Sequence, residues 1–201
     1  MLSLGIIFSL LALLSWGFGD FLIQKTTRKI GDFETLFFIG IVGVVALFPF
    51  ILKELPVVFQ NTSHLLLLGL TGTIIFFAAL FDFEALKRGK IAIIEPVLSI
   101  ELPVAIGLSV LFAGEFLSPL QWILTFIVFI GILLAIATHH THLHYRRIFE
   151  KGVALAGVGA ITMGAVNFFV GISSQSTSPL MTIWFTNTIF TIFCILYIIV
   201  A

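Results

Sequence analysis

Apolar residues are grouped along the chain into seven runs, separated by short polar stretches. The runs extend over residues 2–24, 34–52, 64–86, 91–113, 119–138, 152–173 and 179–201. About 20 consecutive apolar residues in a helix cross the hydrocarbon core of a bilayer. The pattern therefore predicts an all-α polytopic membrane protein with seven transmembrane helices, called segments one to seven below.

Composition supports this prediction and excludes several function classes. Hydrophobic residues make up 60% of the chain and charged residues 10%, whereas soluble domains carry about a quarter charged residues. The formal net charge is zero, which gives no indication of nucleic-acid binding. Cys194 is the single cysteine, so an internal disulfide and a cysteine-built metal site are excluded, and no cofactor is indicated.

A weak internal repeat relates the beginning of the chain to its end. A shift of 147 positions aligns five identical pairs and brings Asp20 onto Asn167; the pairs are Gly5 and Gly152, Gly17 and Gly164, Phe21 and Phe168, Thr35 and Thr182, and Phe38 and Phe185. The shift carries segment one onto segment six, a displacement of five segments. An odd displacement inverts the second unit in the membrane, as in many secondary transporters.

Basic residues give an independent indication of topology. Nine of the ten follow segments one, three and five, and only Lys53 lies in another connection; the nine are Lys25, Arg28, Lys29, Lys87, Arg88, Lys90, Arg146, Arg147 and Lys151. The positive-inside rule therefore predicts that the loops after these three segments face the cytoplasm. We expect the protein in a prokaryotic cytoplasmic (inner) membrane.

The longest polar connection divides the chain into two units. We expect a first five-helix unit at 1–138, a His- and Arg-rich linker at 139–151, and two helices of a second, inverted unit at 152–201. A faithful repeat would need three further helices, so the sequence predicts an N-terminal portion of a ten-helix protein with two five-helix repeats.

Two stretches carry a family resemblance. Segment one, 12-ALLSWGFGDFLIQK-25, resembles the opening helix of EamA-type proteins of the drug/metabolite transporter superfamily. The region 79–135 is similar to the same family in the order of its motifs: Ala85-Leu86, Pro96, Gly114-Glu115, Leu117-Ser118, Gln121 and Gly131. The resemblance implies a carrier of ten helices in two inverted repeats around a central solute cavity. It also implies both termini in the cytoplasm, opposite to the orientation that the basic residues predict.

Segment four carries two acids and two prolines, in 95-EPVLSIELP-103. Glu95 and Glu101 lie about 120° apart on an ideal helix, so they face one site only if the helix is distorted. Pro96 and Pro103 permit such a kink because each removes a backbone donor. We expect Glu101 to line a solute cavity or carry protons, with a buried structural hydrogen bond as the alternative.

The other candidate site residues follow from helical faces. Glu95 and Ser99 share a face one turn apart, although Glu95 also has an alternative as an interfacial partner of the nearby lysines and arginine. Trp16 and Asp20 lie one turn apart and would offer a cationic solute an aromatic wall and an anion. In the alternative, Trp16 is an interface anchor and Asp20 pairs with a nearby lysine. Asn167, at the position of Asp20 in the second unit, joins the substrate-binding candidates.

Three further features receive structural interpretations. Asp82 and Glu84 near the end of segment three are predicted to be interfacial charges paired with Arg88. Small residues at four-residue spacing in segment six predict close helix packing: Ala156, Ala160 and Gly164. His139, His140, His142 and His144 form a cluster that could hold a transition metal, but a hydrophilic linker explains it better, and we predict no metal site.

We therefore expect a secondary transporter of a small polar or amphipathic metabolite, with amines or amino acids weakly favoured. It would work by alternating access, with proton coupling or exchange. A channel or another non-transport membrane protein stays open as the alternative, because a water-filled path also tolerates Glu101. An enzyme is not expected, since HExxH and Gly-x-Ser-x-Gly motifs are missing. The partners expected are a small solute and the lipid bilayer; a homodimer is left open.

Overall fold

The computed structural model describes residues 4–140 and 151–200, with side chains up to Leu134 and from Lys151 onward. All regular structure in these ranges is α-helical. The helices are α1 Leu4–Ile30, α2 Asp32–Ile51, α3 Leu55–Gln60, α4 Thr62–Arg88, α5 Ile91–Leu98, α6 Glu101–Phe112, α7 Pro119–His140, α8 Lys151–Ser176 and α9 Pro179–Val200.

Six spans in the described residues are long and apolar enough to cross a membrane. They are α1, α2, α4, the α5–α6 pair taken together as Ile91–Phe112, α8 and α9. The described side chains of α7 form a shorter apolar stretch, Pro119–Leu134. The polytopic membrane architecture is thus confirmed, whereas the count of seven spans and the ten-helix repeat stay predictions.

The core lies where α4 packs against α8 and α9. Helix α2 packs along α9, α6 and α5 pack on α8, and α1 contacts α4 and α2. One buried cluster joins α2, α4 and α9 through Leu36, Phe76 and Cys194. Another joins α4, α5 and α8 through Leu86 and Ala156. The outer surfaces are apolar as well, as a lipid environment requires.

The two ends of the bundle differ in how many basic residues they carry. Seven described basic residues lie where α1, α4 and α7 end and where α2, α5 and α8 begin, and we call this end the basic face; they are Lys25, Arg28, Lys29, Lys87, Arg88, Lys90 and Lys151. Here Lys87 Nζ lies 3.3 Å from Asp32 Oδ2 and 3.4 Å from Glu84 Oε2. At the other end, which we call the far face, Ser178 Oγ donates a 2.5 Å hydrogen bond to Glu54 Oε2.

Helix directions agree with the predicted inversion. Helix α1 ends at the basic face and α8 begins there, while α2 begins at the basic face and α9 ends there. The aligned helices of the two units thus run in opposite directions. The domain division stays a prediction, and residues 141–150 of its linker lie outside the described residues. Helix α7 continues through His140, so helix occupies the first two linker positions.

Candidate functional site

A cavity of about 180 Å³ opens between α1, α4, α8 and the interrupted α5–α6 span. Its lining combines four carboxylic acids with apolar side chains and one indole. The twelve lining residues are Trp16, Asp20, Ile23, Ala79, Asp82, Phe83, Leu86, Glu95, Leu98, Ser99, Glu101 and Met163. We call this space the acidic cavity.

Five of the six substrate-site candidates from the sequence meet in the acidic cavity. Helix α1 contributes Trp16 and Asp20, and the α5–α6 span contributes Glu95, Ser99 and Glu101. The sixth candidate, Asn167 of α8, does not line the cavity, but its side chain is a hydrogen-bond partner of Glu101. The structure thus brings the six side chains together, and their role in solute binding stays a prediction.

The α5–α6 span is interrupted between its two prolines. Helix α5 ends at Leu98 and α6 begins at Glu101, with a tight turn between them in which Ile100 N donates to Val97 O at 3.2 Å. Pro103 lies two residues after the start of α6 and has no N–H to offer the carbonyl of Ser99. This interruption lets Glu95 and Glu101 line one cavity, which an ideal helix would prevent.

Asp82 is the site residue that the sequence interpretation missed. The prediction of an interfacial charge paired with Arg88 is wrong for Asp82, which lines the acidic cavity, and holds for Glu84, which pairs with Arg88 and Lys87. The spacing contains the signal. Glu84 lies four residues before Arg88 on the same helical face, whereas a separation of six residues directs Asp82 elsewhere.

Asp82 belongs to an apolar stripe that faces the core. Ala79 and Leu86 lie on the same helical face as Asp82, three residues before it and four after it, and both line the same cavity, as does the adjacent Phe83. An acid within such a stripe predicts a buried functional or structural carboxylate.

The carboxylates of the acidic cavity lack basic partners. No lysine, arginine or histidine is among the lining residues. Two carboxylate oxygens, Asp82 Oδ1 and Glu95 Oε1, are buried without a hydrogen-bond partner in the described part of the chain. Asp82 also interacts electrostatically with Glu95, Glu101 and Asp20. Such an arrangement accumulates negative charge and attracts protons or a cationic solute.

Gly159 of α8 allows the close approach of Asp82. A Cβ atom at position 159 would overlap Asp82 Oδ1 and would touch the Leu98 side chain at 3.4 Å. Glycine at this point thus lets α8 form one wall of the cavity while the carboxylate of α4 remains directed into it.

A comparison with protein families settles the chain's relationship. A model of the EamA-like transporter family matches residues 3–137, which is more than half of the chain and includes α1 to α6 and most of α7. The chain belongs to the EamA-like transporter family. This confirms the resemblance drawn from 12–25 and 79–135, and it places the chain in the drug/metabolite transporter superfamily.

One relative of this EamA-like protein is an uncharacterized protein of Methanocaldococcus jannaschii. The two chains are 28% identical over 129 residues, which are 64% of this chain and 93% of the relative. The relative is therefore little longer than the first unit predicted here, 1–138. No solved structure matches the chain.

The acidic cavity of this EamA-like protein extends from near the basic face toward the middle of the helix bundle. With a rise of about 1.5 Å per residue, Glu95 lies about 6 Å along its helix from the start of α5, and Trp16 lies about 21 Å from the end of α1. Four acids held at this depth are expensive unless they serve transport or are neutralised, because the membrane interior penalises charge.

Metal binding finds no support in the described side chains. None of the His, Cys, Asp and Glu residues in the described part of the chain form a group of three or more arranged to hold a metal ion. The histidine cluster of the sequence analysis lies outside the described side chains.

Proposed function

We propose that this EamA-like protein is a secondary transporter that carries a small metabolite with a positively charged amino group through the acidic cavity. The observation that carries the proposal is the lining: four carboxylic acids without a basic residue among them. A cationic group entering the cavity would neutralise part of this charge. An anionic solute would be repelled by the same acids.

The size and aromatic lining of the cavity favour a small amphipathic solute. A volume of about 180 Å³ is below the range of about 300–1,000 Å³ typical of pockets for drug-sized ligands. Trp16 offers an indole face to an ammonium group one helical turn from Asp20. An amine or an amino acid, with its ammonium near the acids and its side chain against Phe83 and Met163, suits this lining.

Alternating access follows from the proposed arrangement of units. We propose that residues 1–138 form the first unit and that α8 and α9 in 152–201 begin a second, inverted unit, with the acidic cavity between the two. Rocking of one unit against the other would expose the cavity to each side in turn. Charge balance favours coupling, since carboxyls that bind protons when the solute leaves avoid unpaired charge.

We also propose an orientation in a prokaryotic cytoplasmic membrane, with the basic face toward the cytoplasm. The support is the distribution of lysine and arginine, since the described basic residues other than Lys53 lie at that face.

The first experiment is a binding and uptake measurement on the purified protein reconstituted in liposomes. A panel of labelled primary amines, amino acids and dicarboxylic acids is offered with and without an inward or outward proton gradient. We expect saturable binding of amines or amino acids and none of dicarboxylic acids. Preferential uptake of the dicarboxylic acids would overturn the proposal.

Two variants and one matched control assign the uptake to the acidic cavity. Asp82→Asn and Glu101→Gln keep the size of the side chains and remove their charge, and we expect each to weaken solute binding at least tenfold, about 1.4 kcal/mol. Glu115→Gln is the control, because Glu115 is exposed near the far face, outside the acidic cavity. Equal losses in all three variants would show that the effect does not arise in the cavity.

A channel is the alternative function that the acidic cavity also permits. A carrier saturates, and unlabelled solute on the opposite side stimulates its flux. A flux that rises linearly with solute concentration, and that unlabelled solute on the other side does not stimulate, would favour the channel.

A further inference from the structure

A wide apolar groove lies on the membrane-facing side of α1 and α2. Its volume is about 520 Å³, and all eight lining residues come from these two helices: Gly19, Leu22, Ile23, Thr26, Thr35, Phe38, Ile39 and Val42. The Thr35 hydroxyl donates to Gly31 O at 2.6 Å, so it offers its hydrogen to its own helix. The groove is suited to a hydrocarbon chain rather than to a polar solute.

Two lysines of α1 follow the groove residues toward the basic face, although neither is part of the groove lining. Lys29 follows Leu22 by seven residues, which returns it to within about 20° of Leu22 on the surface of α1. Lys25 lies beside it, one turn earlier. Neither ammonium group takes part in an ion pair with the described residues.

A second recess connects the two lysines to the neighbouring Arg28. It has a volume of about 350 Å³ and is lined by Phe21, Gln24, Lys25, Arg28 and Lys29. The Arg28 guanidinium donates to the carbonyls of Lys87 and Gly89 at 3.0 and 2.6 Å, and Gln24 donates to the Gly89 carbonyl at 3.1 Å. These bonds fix the recess against the α4–α5 turn and leave the lysines as its available cations.

We propose that the groove and the recess together form a binding site for one anionic phospholipid of the leaflet at the basic face. The acyl chain occupies the groove between α1 and α2, and Lys25 and Lys29 bind the phosphate. The site shares only Ile23 with the lining of the acidic cavity, and it does not depend on the proposed solute.

Charge and location both favour this occupant. The lining of the groove and of the recess contains no carboxylate, and the polar groups of the recess are those of Gln24, Arg28 and the two lysines. Basic residues at the cytoplasmic surface attract anionic lipids, because that leaflet carries negative charge. A zwitterionic lipid would match the groove equally well and the lysines poorly.

The weak packing of α1 gives the lipid a structural task. The most apolar 18-residue window of α1 contains no buried residue, and its helix contacts are with α4 and α2. An acyl chain in the groove would bridge α1 and α2 along the surface where they do not touch. Bound lipid is therefore expected to stabilise the fold.

The test uses the full chain purified in detergent and two probes, dioleoyl phosphatidylglycerol and dioleoyl phosphatidylcholine. Native mass spectrometry measures retained lipid, and a thermal unfolding scan measures stabilisation. We expect the phosphatidylglycerol complex to be retained and to raise Tm, with at least tenfold weaker retention of phosphatidylcholine. Equal retention of both lipids would overturn the proposal.

Variants separate the two parts of the site. Lys25→Gln with Lys29→Gln removes the headgroup contacts, and we expect roughly tenfold or greater loss of phosphatidylglycerol retention. Gly19→Leu fills the groove without changing charge, since a Cβ at Gly19 meets nothing within 4 Å, and it should also reduce retention. Lys53→Gln, at the far face, is the matched control and should bind lipid as the unchanged protein does.

A soluble probe distinguishes a lipid from a free phosphate. Glycerol 1-phosphate has no acyl chain, and its phosphate monoester carries at least as much negative charge as the phosphodiester of the lipid. We expect it to leave Tm unchanged at concentrations at which phosphatidylglycerol saturates. An equal rise of Tm with glycerol 1-phosphate, or full lipid retention by the double lysine variant, would overturn the proposal.

Discussion

Buried hydroxyl groups show how single residues hold this bundle together. Most of the described Ser and Thr side chains donate to a carbonyl one turn earlier in their own helix, as Thr73 does to Gly69. Thr71 also donates to its own helix, to Leu67 O at 2.8 Å, and its oxygen lies 2.9 Å from Ser173 Oγ, so the Ser173 hydroxyl donates to it and joins α8 to α4 in the core. This hydrogen bond links two helices that the sequence analysis predicts to belong to different units.

We predict a measurable coupling between Thr71 and Ser173. In a double-mutant cycle with Thr71→Val and Ser173→Ala, we expect a coupling free energy of about 0.6 kcal/mol, and not above about 1.7 kcal/mol, as found for hydrogen bonds between membrane helices. Unfolding in a denaturing detergent gives the four free energies. Thr73→Val paired with Ser173→Ala serves as the control and should show no coupling.

At the residue scale, the sequence locates the site through helical faces. Trp16 and Asp20 share a face of α1, and both line the acidic cavity as helical spacing suggests. Asp82 was not among the predicted site residues, because its closeness to Arg88 in the sequence suggested an ion pair, although the two side chains point in different directions on the helix. Its place in the apolar stripe of α4 indicates that this acid faces inward, and the contact of its carboxylate with Gly159 of α8 shows where it lies.

Helix α8 packs through its small residues. Ala156, Ala160 and Gly164 are buried, which confirms the packing predicted from their four-residue spacing. At Gly164, helix α8 packs directly against α6. An added Cβ would lie 2.5 Å from Val104 Cγ1 and 2.9 Å from Glu101 O. A side chain there would push α6, and with it the carboxyl-bearing start of that helix.

Two glycines of the same helix provide a matched prediction for this packing. Gly164→Ala should lower the unfolding temperature, because α6 would have to move, and should also weaken solute binding through Glu101. Gly171→Ala should leave the unfolding temperature unchanged or raise it. A Cβ at this position meets nothing within 4 Å, and alanine favours a helix over glycine by about 1 kcal/mol. Thermal unfolding of both variants checks this. A lower Tm for Gly171→Ala alone would contradict it.

Element boundaries followed from the sequence where a cap was present. Ser118 and Ser178 precede prolines at the starts of α7 and α9, and Ser178 Oγ accepts a 3.1 Å bond from Met181 N. The first apolar run predicts that α1 ends at Gln24, six residues before its end at Ile30, because polar residues end an apolar run without ending a helix. The apolar runs do not predict the short helix α3, because it has only six residues and Pro56, its second residue, is typical of a break in the chain.

For the whole molecule, the distribution of lysine and arginine predicts which face meets the cytoplasm. We expect Lys29→Cys, in a Cys194→Ser background, to react with a membrane-impermeant maleimide only from the cytoplasmic side. Glu115→Cys should react only from the opposite side. Labelling of right-side-out and inside-out vesicles measures both, and the reverse pattern would show that the orientation implied by the family resemblance is correct.

The membrane class and family of the molecule follow from its sequence, whereas the pairing of its units does not. Apolar runs of about 20 residues suffice to predict spans, because the bilayer fixes their length. A repeat supported by five identities cannot show which helices pack. The contacts of α4 with α8 and of α2 with α9 depend on side-chain shape, which no spacing in the sequence reports.

The connection between α1 and α2 limits how these helices can move. Gly31 alone separates them, with a φ of 103° that other residues rarely adopt. Because the joined ends cannot separate, a movement of α1 away from α2 has to be a rotation about Gly31 at the basic face. A rotation of about 10° would shift Leu4 by about 7 Å and Trp16 by about 4 Å, given a rise of about 1.5 Å per residue. Such a rotation would widen the acidic cavity at Trp16, while the residues next to Gly31 stay in place.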